Sequence, residues 1–163
     1  MRRAAEQPGA RGAQCVCFNL RKATRSVTHI YDAALRPAGL RATQFTVLNV
    51  VHGLAPAGVT RIAELAVIDR TTLTRSLALL ERAGLLRVVA SNDARERRYA
   101  LTARGTRTLA RAAPLWDAAQ ARVVELLGPA LFRRLIDDLG EVVITARAAK
   151  AERVAARGVG RHA

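Results

Sequence analysis

Apolar residues recur at helical spacing along most of the chain. From about Gln14 they lie three, four and seven residues apart with charged residues between them, a stripe made of Cys17, Leu20, Val27, Ile30, Tyr31 and Leu35. This spacing predicts a long amphipathic helix, which Pro37 and Gly39 should end. A second helix is predicted from about Thr43 to Val51, before the Gly- and Pro-containing break HGLAPAG.

The middle of the chain changes from helical to extended periodicity. A short helix is predicted over about 60–67 and another over 70–83, with Asp69 as its N-cap and Gly84 just past its end. The runs LLRVVA and RRYALT that follow are rich in strand-forming residues, and the polar segment SNDARE separates them. This pattern predicts a two-stranded hairpin.

The C-terminal part is again helical in pattern. Thr102 is a suitable N-cap for a helix that reaches about Leu127, in which Pro114 is expected to cause a bend. After the break at Gly128 and Pro129, a last helix is predicted from about residue 130, with Leu131, Leu135, Leu139, Val142, Val143 and Ala146 on its apolar side. Residues 1–13 and 157–163 lack periodicity and are predicted to be disordered tails.

The order of these elements predicts the fold class. A short helix, a turn, a helix and then a hairpin is the order of a winged helix-turn-helix, so the chain should be mainly α with a small β-hairpin wing. The first and last helices have wider apolar stripes than one small domain needs, so residues 14–40 and 104–156 are predicted to form a dimerisation region. Residues 41–103 would form the DNA-binding region. The alternative is that the long helices pack only on the winged domain.

The predicted helix over 70–83 has a face suited to reading DNA. Leu73, Leu77 and Leu80 recur at four and three residues and should point inward, which turns Thr71 and Arg75 to the opposite side. Arginine can donate two hydrogen bonds to guanine in the major groove, and threonine can contact a thymine methyl group or a phosphate. The candidate DNA-binding residues of the helix are Arg70, Thr71, Thr72, Thr74 and Arg75. An ordinary solvated helix face is the alternative interpretation.

The predicted wing carries a second set of candidate DNA contacts, which are Asp93, Arg95, Arg97 and Arg98. At the tip, Asp93 and Arg95 are two residues apart, so the carboxylate can brace the guanidinium. An arginine held in this way can enter a narrow minor groove. An ordinary turn with a surface ion pair would have the same residues.

Composition favours a polyanionic partner and excludes several classes of protein. The 27 Lys and Arg residues against 13 Asp and Glu give a formal net charge of +14, which suits nucleic acid or an anionic surface, although Arg-rich codon usage would also raise this total. The two cysteines, at positions 15 and 17, cannot build a disulfide framework, and no spacing typical of metal ligands is present. Since no export signal or long apolar run is evident, we expect a cytoplasmic protein without a membrane partner. No catalytic motif or cofactor-binding motif is found, so neither an enzyme nor a cofactor is expected.

The run TRIAELAVIDRTTLTRSLALLERAGLLRVVASNDARERRYALTARG resembles the DNA-binding half of the multiple antibiotic resistance regulator (MarR) family. The resemblance rests on the L-A-x-x-x-x-x-x-x-L-T-R-x-L spacing, the E-R-x-G-L exit, and D-x-R followed by L-T-x-x-G, and the order of elements matches over about residues 14–150. It implies a homodimer whose terminal helices pair around a two-fold axis. The two recognition helices would then reach successive major grooves of a pseudo-palindromic duplex. A repressor is the expected role.

Two kinds of signal to which such a regulator could respond remain open, a small ligand and the oxidation of a thiol. The resemblance implies a small aromatic or phenolic ligand bound between the dimer helices and the winged domain, for which the candidate polar residues are Arg25, His29, Tyr31, Asn49 and His52. The alternative, which the pattern favours for His29 and His52, is that they are ordinary half-exposed histidines.

The second input is a thiol. The segment CFNLRKATRSVTHIYDAALRPAGLRATQF resembles organic hydroperoxide resistance regulators, a branch of the same family whose reactive thiol falls at Cys17 and whose hydrogen-bonding tyrosine falls at Tyr31. Arg21 and Ala42 stand where that branch has further tyrosines, and a structural cysteine is the alternative. A separate hypothesis is a non-specific architectural protein that binds nucleic acid through its charge alone.

Overall fold

The computed structural model describes residues 13–90 and 96–159, with the side chains of residues 150 and 153–159 left out. In this part of the chain the elements are, in order, α1 (Val16–Leu35), a 3-10 turn (Arg36–Ala38), α2 (Ala42–Leu54), β1 (Ala57–Gly58), α3 (Val59–Ala66), α4 (Arg70–Arg82), β2 (Leu86–Val89), β3 (Arg98–Leu101), α5 (Ala103–Leu127) and α6 (Pro129–Val159). The predicted fold class, mainly helical with a small β wing behind a helix-turn-helix, is confirmed.

The wing has one more strand than the sequence predicted. Strands β2 and β3 form the expected antiparallel hairpin, with Val89 opposite Arg98. The short strand β1 also pairs with β3, on its other side, with Ala57 opposite Tyr99, so the sheet has the order β1-β3-β2. The prediction of a two-stranded hairpin was therefore incomplete, because a two-residue strand is too short to show an alternating pattern.

Helix α2 continues beyond its predicted end. It reaches Leu54 rather than Val51 and includes Gly53. The chain leaves the helix at Ala55, whose ψ of 131° is extended. Ala55 precedes Pro56, and the proline ring disfavours the helical conformation of the residue before it. The proline, and not the glycine, therefore ends this helix.

Helix α6 also runs further than predicted, through Val159, so residues 157–159 of the predicted C-terminal tail are helical. The sequence around this end is rich in Ala and Arg, which have high helix propensity. The remaining residues of that tail, 160–163, lie outside the described residues, as do residues 1–12 of the N-terminal tail. Pro114 lies inside α5, and the helix continues on both sides of it.

The chain divides into two compact units, residues 1–120 and residues 121–163. The first unit contains a core formed by side chains from α1 to α5 and from the sheet, and its largest fully buried members are Leu35, Val47, Leu48, Val51, Ile62, Leu73, Leu77, Leu80 and Leu86. Burying a side chain of this kind contributes about 1.5–3 kcal/mol to folding. The core therefore fixes the orientation of α3 and α4 within the first unit.

The second unit consists of the end of α5 and the long helix α6. Several large apolar side chains of α6 are exposed in the single chain, namely Leu131, Leu135, Ile136, Val142, Val143 and Ile144. Of the helices described, none is both long enough and apolar enough to cross a membrane.

Candidate nucleic-acid interface

The recognition helix α4 begins with a carboxylate cap. The side chain of Asp69 accepts a hydrogen bond from the backbone N–H of Thr72 at 2.9 Å, as the sequence predicted. The hydrogen bonds from the Thr72 side chain and from its backbone N–H hold the pKa of the Asp69 carboxyl below its usual value. Thr72, a candidate DNA contact, therefore takes part in the cap through its backbone N–H.

Burial separates the two faces of α4. Leu73, Leu77 and Leu80 are at most 1% exposed, whereas Thr71 and Arg75 are exposed. Arg82, two turns beyond Arg75, is exposed as well. The helix therefore presents a polar, basic face to solvent.

One flank of α4 faces the base of the wing across a recess of about 310 Å³. Arg70 and Thr74 line the recess from α4, Thr60 lines it from the start of α3, and Arg97 and Tyr99 line it from the wing. The Thr74 hydroxyl donates to the carbonyl oxygen of Arg70 at 2.7 Å. The structure thus brings three of the predicted DNA-binding residues together at one side of the recognition helix.

The two arginines at the base of the wing have neighbours within the chain. Arg97 donates to both carboxylate oxygens of Glu81, at 3.1 and 3.3 Å, and its guanidinium lies 5.6 Å from the centre of the Tyr99 ring. Burial raises the pKa of Tyr99, an effect that the Arg97 charge opposes. Arg98 is half-buried with its Nε 3.8 Å from a carboxylate oxygen of Glu96. The sequence did not indicate the role of Glu81, since no periodicity links it to Arg97.

Asp93 and Arg95, the predicted tip of the wing, fall in residues 91–95 and lie outside the described residues. Their part in minor-groove binding stays a prediction from the sequence.

The candidate effector residues are not gathered in one cavity. His29 lines a cleft of about 560 Å³ between α1 and the start of α2, together with Asp32 and Gln44. Asn49 and His52 are exposed on α2 and do not line this cleft. Arg25 borders a different recess along α1. The cleft at His29 has polar side chains in its lining, and there the Asp32 carboxylate accepts the backbone N–H of Ala42 at 2.7 Å.

Tyr31 lies in an aromatic cluster of the first unit. Its hydroxyl donates to the side-chain oxygen of Gln120 at 2.5 Å, and its ring is 6.2 Å from that of Trp116. Trp116 also stacks at 6.0 Å on Phe45. Burial raises the pKa of Tyr31. Stacked rings at these distances stabilise the junction of α1, α2 and α5.

Both cysteines are exposed free thiols at the start of α1. Cys15 is the N-cap residue and Cys17 lies in the first turn. Cys17 and Tyr31 are on the same helix, and at 1.5 Å per residue they are separated by about 21 Å. The structure therefore does not bring this pair together within one chain.

Comparison with known proteins identifies relatives of the whole fold. A family model described as the MarR family matches residues 38–96. The DNA-bound structure of the M. tuberculosis transcriptional regulator MosR is 42% identical, with a TM-score of 0.71, and the match covers 82% of this chain and 99% of that one. No curated protein matches the sequence.

A second relative has been solved with two different ligands. The transcriptional repressor CouR bound to a 23-mer DNA duplex is 28% identical, with a TM-score of 0.72, over 85% of this chain and 99% of that one. CouR bound to p-coumaroyl-CoA is 26% identical, with a TM-score of 0.74, over 86% of this chain and 98% of that one.

Proposed function

The chain belongs to the MarR family of DNA-binding transcriptional regulators, and we propose that it is a homodimeric repressor of a pseudo-palindromic operator, released by a small aromatic or phenolic effector. The family and the relatives reported above are transcriptional regulators and not enzymes. The observation that carries the proposal is the two-faced helix α4, in which the leucines are buried while Thr71 and Arg75 are exposed on the opposite side.

Arg75 is the proposed base-reading residue. It lies in the second turn of α4, opposite the buried leucines, where a side chain can reach base edges in the major groove. A bidentate contact to guanine contributes about 1–3 kcal/mol of discrimination. Thr71 would contact a thymine methyl group or a phosphate, and Arg70, Thr72 and Thr74 would flank the contact.

The wing would cover the neighbouring minor groove. In this proposal Arg95, braced by Asp93, enters the groove, while Arg97 and Arg98 add positive charge at the base of the wing near the DNA backbone. The net charge of +14 supports a strong, salt-dependent backbone contribution.

The exposed apolar residues of the long helices support a homodimer. On α1, Val16 and Phe18 are 63% and 54% exposed, and α6 has its own exposed apolar residues, as described above. We assign dimerisation to residues 14–40 and 104–156 and DNA binding to residues 41–103, as the sequence predicted. A second copy would bury these apolar side chains. The 23-mer bound by CouR is about two helical turns long, which is the length that two recognition helices of a dimer span.

Two observations support the proposal of an aromatic effector, which are the ligand bound by a relative and an aromatic cluster in this chain. CouR binds p-coumaroyl-CoA, whose acyl group is phenolic. Here, Tyr31 and Trp116 form an aromatic junction near the C-terminal end of α1, and we place the effector beside it. Arg25, His29, Asn49 and His52 line no common cavity of the described residues in the single chain, and they stay candidate polar contacts from the sequence alone. Trp116 is the single tryptophan of the chain, so its fluorescence would report binding at this junction.

Selection of bound duplexes from a random pool, followed by affinity measurements, tests the proposal. A regulator should bind its selected operator roughly 10³-fold or more tightly than random DNA, and sedimentation of the complex should give two chains per operator. Aromatic acids are then screened for release of the DNA and for a change in Trp116 emission. Equal affinity for operator and random duplex would instead identify an architectural protein.

The second candidate function is that of an organic hydroperoxide sensor, and the exposure of both thiols favours it. In this reaction the Cys17 thiolate attacks the O–O bond of an organic hydroperoxide, which yields a sulfenic acid on the protein and releases the alcohol. The Cys17→Ser variant should bind the operator normally and stay bound after hydroperoxide treatment, while wild type and the control Cys15→Ser dissociate. If wild type also stays bound, Cys17 has no sensing role.

A further inference from the structure

The ion pair between Glu81 and Arg97 connects the recognition helix to the base of the wing. The two residues are sixteen positions apart, and β2 and the tip of the wing lie between them in the chain. Glu81 is in the last turn of α4, and Arg97 immediately precedes β3. The ion pair therefore joins the two ends of the chain segment that contains β2 and the tip of the wing.

Each partner is attached to a rigid part of the first unit. Arg97 lies over the ring of Tyr99, which is only 3% exposed and pairs with Ala57 on one side and Val88 on the other. Glu81 directly follows the fully packed Leu80 in α4. The contact thus links the central strand of the sheet to the flank of the recognition helix, where the Glu81 side chain is 35% exposed.

Two other ion pairs of the described residues each lie within a single helix. Arg61 with Glu64 and Arg122 with Glu125 are pairs three residues apart within one helix. Such pairs can support their own helix, but they cannot orient one element against another.

We propose that Glu81 is a positioning residue that holds Arg97, and through it the wing, at a fixed angle to α4. The recognition helix and the wing then enter adjacent grooves in register. This inference rests on the proposed DNA-binding mode, in which α4 lies in the major groove and the wing in the minor groove.

The positioning role of Glu81 can be separated from the simple effect of its charge on DNA binding, because the two predict changes of affinity in opposite directions. A carboxylate on a DNA-binding surface repels phosphates, so its neutralisation should strengthen binding by the general electrostatic contribution. If Glu81 positions the wing, its neutralisation releases Arg97 and weakens binding. The sign of the change therefore separates the two explanations.

The test uses the full chain and an operator selected by the wild-type protein. Affinity is measured for wild type, Glu81→Gln, Arg97→Gln and the double variant. Glu125→Gln, which removes the same charge from a pair inside one helix, is the control. Glu81→Gln should bind about 5-fold more weakly, on the scale of one exposed ion pair, and the double variant should be no weaker than Arg97→Gln alone. Because Glu125 lies in the assigned dimerisation region, sedimentation first checks that the control is the same dimer as wild type, and the control should then bind the operator like wild type.

Methylation protection gives a geometric readout that a general loss of stability would not produce. Dimethyl sulfate modifies guanine N7 in the major groove and adenine N3 in the minor groove. With Glu81→Gln, guanine protection under α4 should persist while adenine protection under the wing declines. Thermal unfolding of every variant confirms that it is folded, as expected for a pair whose side chains are 35% and 61% exposed.

Three results would overturn the inference: unchanged or tighter binding by Glu81→Gln, additive losses in the double variant, or unaltered adenine protection. If one of these results is found while the wild-type protein still prefers its operator over random DNA, only the inference about Glu81 is wrong and the proposed function stands. A wild type that selects no operator would overturn both.

Discussion

Thr102 donates its side-chain hydroxyl to the carbonyl oxygen of Gly84 at 2.6 Å, and so joins the start of α5 to the turn after α4. Its backbone N–H donates to the carbonyl oxygen of Leu85 at 3.0 Å, and its hydroxyl accepts the N–H of Gly105 at 2.9 Å. One residue therefore ends β3, caps α5 and holds the first residues of the wing. These contacts bring the first turn of α5 very close to the backbone at Leu85.

Replacing Gly105 with alanine should destabilise the protein because of this close approach. A Cβ at Gly105 would clash with the carbonyl oxygen of Leu85, and this backbone atom cannot move away without breaking the contacts of Thr102. We expect Gly105→Ala to lower the free energy of unfolding by roughly 2–4 kcal/mol, measured by urea denaturation.

Gly53→Ala is the matched control for this substitution. Gly53 lies within α2, where an added Cβ meets nothing within 4 Å. Since alanine has the higher helix propensity, the control should raise stability, by at most about 1 kcal/mol. Similar effects of the two substitutions would contradict the close approach at Leu85.

Val67, in the turn between α3 and α4, is held in a strained conformation. Its φ of 53° is left-handed, which is unfavourable for a β-branched residue, and its side chain is 63% exposed. Val67→Gly should raise the free energy of unfolding by about 1 kcal/mol, since the relief of strain exceeds the added entropy of the unfolded chain. Val67→Ala keeps the Cβ and should gain less, and an equal gain would argue against backbone strain as the cause.

The Asp69 cap should make stability depend on pH in the acid range. Hydrogen bonds from Thr72 lower the pKa of this carboxyl in the folded state relative to its usual value of 3.8. The stabilisation is therefore fully present above the unfolded pKa and is lost as pH falls through the lower, folded pKa. Asp69→Asn retains a capping oxygen without a titrating group. The difference in unfolding temperature between wild type and this variant should change between pH 7 and pH 2, and a constant difference would exclude the carboxylate as the source.

Arg75 should control base preference more than overall affinity. Arg75→Ala should weaken operator binding by about 1–3 kcal/mol and relax the preference at one position of each half-site, with a much smaller loss on random duplex. Arg122→Ala removes the same charge from the Arg122–Glu125 pair of α5 and should leave the base preference unchanged. A repeat of the duplex selection with each variant measures this, and equal losses on operator and random DNA for Arg75→Ala would contradict base reading.

Local signals in the sequence were sufficient for most of the winged domain. The cap at Asp69 and the left-handed Gly84 depend on residues within one or two turns of each helix end. The buried face of α4 follows from the spacing of its leucines, because the geometry of a single helix decides which side chains share a face. The sequence shows that two cysteines lie at the start of α1, but it does not show that their side chains are exposed.

Contacts between distant parts of the chain could not be read in this way. The Tyr31–Gln120 hydrogen bond joins residues 89 positions apart, and the pairing of β1 with β3, the approach of Gly105 to Leu85 and the Glu81–Arg97 pair all join separate elements. Periodicity describes one element at a time, whereas these contacts depend on how close and at what angle the elements pack. The sequence by itself thus determined the helices, the β2–β3 hairpin and the outward face of α4, and the tertiary structure decided how the wing is attached to that helix.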